Sequence, residues 1–420
     1  MKFLCIFFIL CLPSLTFGQD KISGKVVSEK GEALQGASVF ISNTKIGVNT
    51  DAQGEFVLAK VPVGNTEIVI SYIGYEATSV VIPAADRYKR YMVKLRLQSN
   101  DLAAVIVGNY DKRGWKKWGK SFSEAFIGTS AYEKGCDITN KDVIRFNYNK
   151  KTNRLHAYAA EPLLIQNKSL GYNISVTMVD FVYDFSSKDV DYQVYSLFAE
   201  MQGTDDQQLE WKKNREDVYS LSVMHFMRAL YANNCKNEGF QVRIIERNVN
   251  REKQRVQALY KNTFAKIKDS LGSNGVKENA VNKLIENNFS KDSLLYYQSV
   301  FKQNDRTENL HLELAGFKDI ARKTDSGTVL FHFNDFLQIT YIKAKEPVEY
   351  AAYKNKQYPD LNTPESAVQR VYPNTELTLT QGIPVEINES GYFNNIDLFM
   401  YGFWGWWERI ATKLPYEYEP

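Results

Sequence analysis

Histidine and cysteine are scarce in this chain, with four of each in 420 residues. None of His156, His225, His311 and His332 opens a His-x-x-Glu or His-Glu-x-x-His pattern, so zinc-hydrolase ligand spacing is excluded. A Gly-x-Ser-x-Gly elbow, a phosphate-cradling glycine loop and a dinucleotide fingerprint are also missing. Neither charge sign dominates: 52 basic residues face 49 acidic ones, which excludes the net field expected of a nucleic-acid binder. Past the N-terminus no stretch approaches the roughly 18 apolar residues a membrane helix needs. What is present is a globular mixture, 44% hydrophobic and 24% charged. At roughly 150 residues per domain, the length predicts two or three domains.

The first 18 residues read as a secretion signal. Lys2 precedes the apolar run Phe3–Leu12, Pro13 and Ser14 break it, and Thr16-Phe17-Gly18 offers small residues for cleavage. Cys11 follows Leu10 inside the apolar run, an arrangement that does not fit lipid attachment after cleavage. Export is therefore expected, to the periplasm or an outer-membrane setting. Two cysteines, Cys136 and Cys235, remain beyond the signal in a compartment that permits a disulfide. A bridge between them would close a loop of about 100 residues and contribute on the order of 4 kcal/mol. Two separate buried thiols are the alternative, and the sequence leaves both open.

Residues 20–98 read as all-β. Short alternating runs occur at Ile22–Val27, Ala37–Ile41, Glu55–Leu58, Glu67–Tyr72, Ser79–Ile82 and Tyr91–Leu97. Turn signals at Gly31, Gly54, Gly64 and Pro83 separate them. Strands with one apolar face each predict a small sandwich. The ordered blocks Gly24-Lys25-Val26-Val27, Gly36-Ala37-Ser38-Val39, Thr50–Phe56, Pro62-Val63-Gly64 and Ser71–Tyr75 resemble the carboxypeptidase regulatory-like domain. That resemblance implies a transthyretin-like β-sandwich, an accessory module also found ahead of TonB-dependent outer-membrane transporters. Leu102–Val107 resembles the extended segment that follows the domain there, but the remaining chain is expected to be too short for a transporter barrel. The module's name derives from metallocarboxypeptidases, whose zinc motif this chain lacks.

Residues 99–113 read as an extended linker, and 114–420 as an α+β domain with a polar helical insertion near 248–307. Trp115, Trp118, Phe122, Ala125 and Phe126 predict an amphipathic helix. A single helix is expected over Trp211–Tyr231, and another carries Val256, Tyr260, Phe264, Ile267 and Leu271. Asn334-Asp335 predicts a two-residue hairpin between Thr328–Phe333 and Phe336–Ile342. A last helix is expected over Phe403–Leu414. The segments Asn214-Arg215-Glu216, His225–Tyr231 and Trp406–Ala411 resemble uncharacterised bacterial envelope proteins, which implies no particular activity.

Four residues are candidates for binding. Arg215, Tyr219, Ser222, His225 and Arg228 recur at three- and four-residue steps, so Arg215, His225 and Arg228 would form an anion- or glycan-binding helix face. The competing reading is a half-buried helix whose polar groups satisfy neighbouring strand ends. Trp406 falls off the apolar stripe of Trp404, Trp407, Ile410, Ala411 and Leu414, as a sugar-stacking ring or as core. Asp111–Trp118 interleaves basic residues with tryptophan and reads as a linker leading into a helix. His332 and Asp335 read as a strand histidine beside a turn aspartate. Asp269-Ser270-Leu271 and Asp292-Ser293-Leu294 match an O-glycosylation triplet, a pattern frequent by chance.

No catalytic residue, metal or cofactor is assigned. The leading expectation is a non-catalytic envelope protein whose sandwich docks or spaces an α+β domain for a protein or glycan partner. Peripheral membrane association stays open. The alternative is a cell-wall or glycan hydrolase with the sandwich as accessory module, using carboxylates within Asp142–Glu200 or the C-terminal strands.

Overall fold

The computed structural model describes residues 21–98, 111, 113–271, 289–357, 371–393 and 397–420. The signal segment and the Leu102–Val107 run lie outside the described residues.

The N-terminal unit is a β-sandwich built from β1 (Ile22–Ser28), β2 (Ser38–Ile41), β3 (Gly47–Asn49), β4 (Glu55–Leu58), β5 (Thr66–Ser71), β6 (Thr78–Ile82) and β7 (Arg90–Leu95). One sheet has the order β4-β1-β7 and the other β3-β2-β5-β6. Alternation sends Val39, Ile41, Ile68 and Ile70 into the sandwich core, where Ile22, Val26, Phe56 and Leu95 meet them. Gly24 has a steric reason to be glycine. A β-carbon there would stand 2.4 Å from the Tyr91 carbonyl oxygen and 2.7 Å from the Phe56 ring. The short β3 has no alternating apolar run, and the sequence pattern did not reveal it.

The rest of the chain is α+β. Helix α1 (Gly114–Phe126) leads into β8 (Cys136–Ile138), β9 (Ile144–Asn149), β10 (Arg154–Ala159), β11 (Leu163–Asn167), β12 (Tyr172–Asp184) and β13 (Val190–Glu200). The 13-residue β12 organises this sheet: β11 pairs with its first half, β10 with its last residues, and β13 runs along its other edge. Phe122 and Phe126 of α1 pack on Phe146 and Phe181, on the face of the sheet that carries the larger core.

Next come α2 (Asp205–Ser220), α3 (Val223–Tyr231), α4 (Cys235–Glu238), β14 (Phe240–Val249), α5 (Arg251–Leu271), α6 (Lys291–Phe301) and β15 (Arg306–Leu310). They are followed by α7 (Phe317–Ile320), β16 (Ala321–Lys323), β17 (Val329–Phe331), β18 (Phe336–Tyr341), α8 (Val348–Gln357), β19 (Asn374–Leu379), β20 (Val385–Ile387), β21 (Leu398–Gly402) and α9 (Phe403–Trp407). One sheet has the order β15-β14-β18-β19-β21 and another β16-β17-β20. Within the polar stretch, α5 and α6 meet through Tyr260, Tyr297 and Phe301.

Three expectations are corrected. The helix over Trp211–Tyr231 is two helices, because the Ser222 hydroxyl accepts from the His225 N–H at 3.2 Å and starts a new one. Asn334-Asp335 is a turn, with Asp335 at φ 55°, but it makes no hairpin: β17 and β18 belong to different sheets. The C-terminal helix ends at Trp407. Glu408 leaves helical geometry at ψ 64°, and a single 3-10 turn follows at Ile410–Thr412.

Candidate functional site

The four sequence candidates take internal positions. On α2, Trp211, Asn214 and Arg215 share one helix face and cap the turn between β11 and β12. Trp211 Nε1 donates to Lys168 O at 2.7 Å, Asn214 Nδ2 to Ser169 O at 2.8 Å, and Arg215 Nε to Leu170 O at 2.7 Å. The Arg215 guanidinium also lies 4.0 Å above the Tyr172 ring. Glycine at 171, with φ +70°, lets the Trp211 ring lie flat on the turn.

His225 is buried, its Nδ1 3.0 Å from Ser220 O and its Nε2 3.2 Å from Glu238 Oε2. Arg228 donates through Nε to Ser390 O at 2.9 Å and through Nη2 to Tyr416 O and Tyr418 O at 3.0 and 2.8 Å. Arg215 and Arg228 donate to backbone carbonyls and His225 faces the Ser220 carbonyl and the Glu238 carboxylate, so all three side chains are engaged within the chain. Trp406 is also buried. Its Nε1 donates to Thr129 Oγ1 at 2.8 Å, and its ring packs on Tyr350 and Trp407. No free ring is left there for a sugar.

Cys136 and Cys235 are both free thiols, in line with the second of the two readings left open by the sequence. Each packs on the larger core from its own element, Cys136 at a sheet edge and Cys235 at the start of α4. Trp115 and Trp118 likewise lean on the core, with Trp118 4.6 Å from the Tyr148 ring, so the basic–aromatic segment begins a packed helix. His332 and Asp335 are exposed. Among the described residues no three His, Cys, Asp or Glu side chains converge as a metal site.

The feature that joins distant parts of the chain is the seam between sandwich and α+β body. Phe40 and Val69 are cross-strand partners on the sandwich's outer face, opposite its core, and they bury against Tyr195 with Leu197 beside them. The turn after β2 then splices into the free edge of β13. Asn43 N–H donates to Ser196 O at 2.7 Å, and Phe198 N–H donates to Thr44 O at 2.9 Å. Tyr416 N–H donates to Asn43 O at 2.9 Å, so the C-terminal segment closes on the same turn. Lys45 extends the join: its N–H donates to Glu417 Oε1 and its Nζ to Glu200 Oε1, both at 2.8 Å. The Lys45 hydrogen bond holds Glu200 below the ordinary carboxylate range, while burial pushes Glu417 up.

A second set of ties surrounds the loop Pro62–Asn65. Buried Arg87 donates to the carbonyls of Pro62 and Gly64 and fixes the loop. Asn65 Nδ2 then donates to Glu386 Oε2 at 2.7 Å, and Asn388 Nδ2 donates to Val63 O at 3.1 Å. Gly64 has φ +95°, and a β-carbon there would meet Thr328 Cγ2 at 3.2 Å.

Hollows open on either side of this contact. Beyond β3 lies one of about 510 Å³, lined by Lys45, Gly47, Leu164, Gln166, Asn173 and Ser175 among others. Beside β6 lies a cleft of about 320 Å³ between Gly64, Asn65, Glu67 and Val81 of the sandwich and Thr328, Ile383–Glu386, Asn388, Tyr392 and Asp397 of the body. Among the described residues, three carboxylates and no cation line the second cleft. Burial alone would raise Asp397, but Thr380 Oγ1 and the N–H groups of Ile383 and Gln381 donate to it and hold it below its usual value. Glu386 accepts from Thr328 Oγ1 at 2.8 Å as well as from Asn65. Burial, with Glu67 close by, pushes the Tyr392 phenol up. The cleft is the candidate site because neither unit makes it alone. Sequence reasoning missed it, since its walls are 321 positions apart at Asn65 and Glu386 and no local motif marks them.

Residues 22–107 match the CarboxypepD_reg-like domain family, so the N-terminal sandwich is a domain of that kind. A TonB-dependent receptor from Formosa agariphila is 35% identical over 95 residues, 23% of this chain and 9% of the receptor. The chain therefore spans less than a tenth of the length of the relative it matches. Among solved structures, a type II cohesin–X-dockerin complex from Acetivibrio cellulolyticus overlaps 18% of this chain and 57% of its own, at 16% identity and a TM-score of 0.17. The TIE protein of Bacillus anthracis overlaps 44% of this chain and 32% of its own, at 10% identity and a TM-score of 0.16. Likenesses this slight carry no functional argument.

Proposed function

We propose that the chain is an exported, non-catalytic envelope protein whose CarboxypepD_reg-like sandwich docks onto an α+β domain and holds it in place to bind a protein or glycan partner. The observation that carries this reading is the seam. Apolar contact at Phe40, Val69 and Tyr195, the main-chain splice at Asn43–Thr44 and the ties at Asn65 and Asn388 support one fixed arrangement of the two units. A merely tethered accessory module needs none of these contacts. The apolar run at Phe3–Leu12 supports export, and the similarity to a TonB-dependent receptor supports an outer-membrane setting.

The test breaks the seam without touching the sandwich core. Val69→Asp places a charge on the outer face, where Val69 is fully buried against the body. Wild-type and variant full chains are cross-linked in envelope fractions of the host, and any partner is then purified and rebound. A partner that binds wild type and loses Val69→Asp supports the reading. A partner held equally by both overturns the docking role.

A further inference from the structure

Resting on that reading, we infer that the acidic cleft beside β6 receives an extended, positively charged segment of a partner protein. The charge argument comes first. Among the described residues Glu67, Glu386 and Asp397 line the cleft with no lysine or arginine in its walls, so a basic group is the complementary ligand. Glu67 comes from the sandwich and Glu386 from the body, so the cleft offers carboxylates on both sides.

The shape argument selects a strand. Glu67 and Val81 are direct cross-strand partners and share one face of their sheet. Val81 is 54% exposed, and Ile383 across the cleft is 53% exposed, so both walls carry uncovered apolar surface. Among the described residues β6 pairs only with β5, which leaves the backbone groups of its other edge for an added strand. An extended peptide alternates its side chains, so one face of an added strand can turn basic groups toward Glu67 and the other carboxylates while its apolar groups lie on the opposite face. A glycan fits less well, because among the described residues Tyr392 is the single aromatic one lining the cleft and is itself half-buried. A bare metal ion fits less well too, since Glu386 and Asp397 already accept hydrogen bonds from the chain.

The full chain is titrated with a fluorescein-labelled Lys-Val-Lys-Val-Lys-Val peptide. Comparators are its Glu-Val counterpart, a backbone N-methylated form and spermine as competitor. The expected result is Lys-Val binding roughly tenfold or more tighter than Glu-Val. It should weaken severalfold in Glu67→Gln and stay unchanged in Glu55→Gln, on the sandwich's other sheet. Amide exchange at Thr78–Ile82 should slow when the peptide binds. Equal affinity for both charges, unweakened binding of the N-methylated peptide, full displacement by spermine at matched charge, or an unaffected Glu67→Gln would each overturn the assignment. If the peptide fails while a partner is still lost in Val69→Asp, the cleft assignment falls and the seam reading stands. If the peptide binds but the partner survives Val69→Asp, the seam reading falls alone.

Discussion

The side-chain amide of Asn65 donates to Glu386 Oε2 at 2.7 Å, joining positions 321 residues apart. Asn65 is tied at its other end as well, since its Oδ1 accepts from the Ala84 N–H at 3.1 Å. The amide thus connects the sandwich's own loop packing to a strand of the body. Its worth should be modest, because the pair is solvent-exposed. Asn65→Ala and Glu386→Gln should each cost about 1 kcal/mol, and the double variant should cost less than the sum. Urea midpoints of the four proteins in a double-mutant cycle measure the coupling. Strict additivity would mean that the contact does not hold the seam.

Gly24→Ala tests why the first motif block carries glycine. The new methyl would press on the Tyr91 carbonyl and the Phe56 ring, both set by neighbouring strands that cannot move independently. The sandwich should lose about 1–3 kcal/mol, as overpacked cores do. Gly31→Ala is the comparison, because nothing lies within 4 Å of its β-carbon and only its φ of +83° opposes the change. Calorimetry should show the larger loss in Gly24→Ala.

The thiols give a third expectation. Burial pushes Cys136 and Cys235 up to about 12 each. At pH 8 the thiolate fraction is then on the order of one in ten thousand, so native alkylation should be very slow. Denatured, unreduced protein starting at Gln19 should react rapidly at two thiols. Fast native labelling would contradict the burial, and an absence of thiols after denaturation would restore the bridge.

Local features were legible in the sequence, and relationships between distant segments were not. Alternation at Ile22–Val27 and Glu67–Tyr72 marked strands that the structure contains, and Trp115, Trp118 and Phe122 marked α1. The single helix over Trp211–Tyr231 failed because Ser222 outcompetes helical continuity by capping. The hairpin at Asp335 failed because turn chemistry fixes a reversal and leaves the choice of partner strand to long-range packing. Arg215 and Arg228 stood out in the sequence at three- and four-residue steps with Tyr219, Ser222 and His225. What no spacing revealed was that their partners are carbonyls at Leu170, Ser390, Tyr416 and Tyr418. The cleft was illegible for the same reason: Glu67 and Glu386 meet only after two separately patterned units dock.

Glu408 predicts a pH dependence. Its carboxylate accepts the Val223 N–H at 2.8 Å at the start of α3, yet burial outweighs that bond and the nearby Lys413 and Arg409, so its pKa is raised. A carboxyl that binds its proton more tightly when folded favours folding at low pH. Its contribution is full below the unfolded value, roughly 4.3, and is lost as pH rises through the folded value. Glu408→Gln keeps an acceptor for Val223 and removes the charge. The variant should gain on wild type as pH climbs from 4 to 8, read from urea midpoints. Asp397 has the opposite sign, because hydrogen bonds overcome its burial and lower its pKa, so Asp397→Asn should lose most near neutrality and least in acid. A Glu408→Gln difference that does not vary with pH would show that the carboxyl is not perturbed in the folded chain.

Arg228 is the residue whose loss should travel furthest. From the last turn of α3 it reaches Ser390 O, Tyr416 O and Tyr418 O, and its guanidinium lies 5.3 Å from the Tyr219 ring. Tyr416 in turn donates its N–H to Asn43, and Glu417 accepts the Lys45 N–H, so the clasp on the C-terminal segment is continuous with the seam. Arg228→Ala should cost about 2–3 kcal/mol, because charge-assisted hydrogen bonds are removed and three carbonyls lose their donor. Arg228→Lys should recover only part of that loss, since an ammonium cannot reproduce the fork that serves Ser390 on one side and the C-terminal segment on the other. The decisive readout is spatial. Amide exchange should accelerate at Tyr416 and Tyr418, and at Asn43 on the sandwich, while Val39 and Ile70 in the sandwich core stay protected. Acceleration confined to α3 would separate the clasp from the seam, and uniform acceleration would mean that Arg228 supports the whole fold.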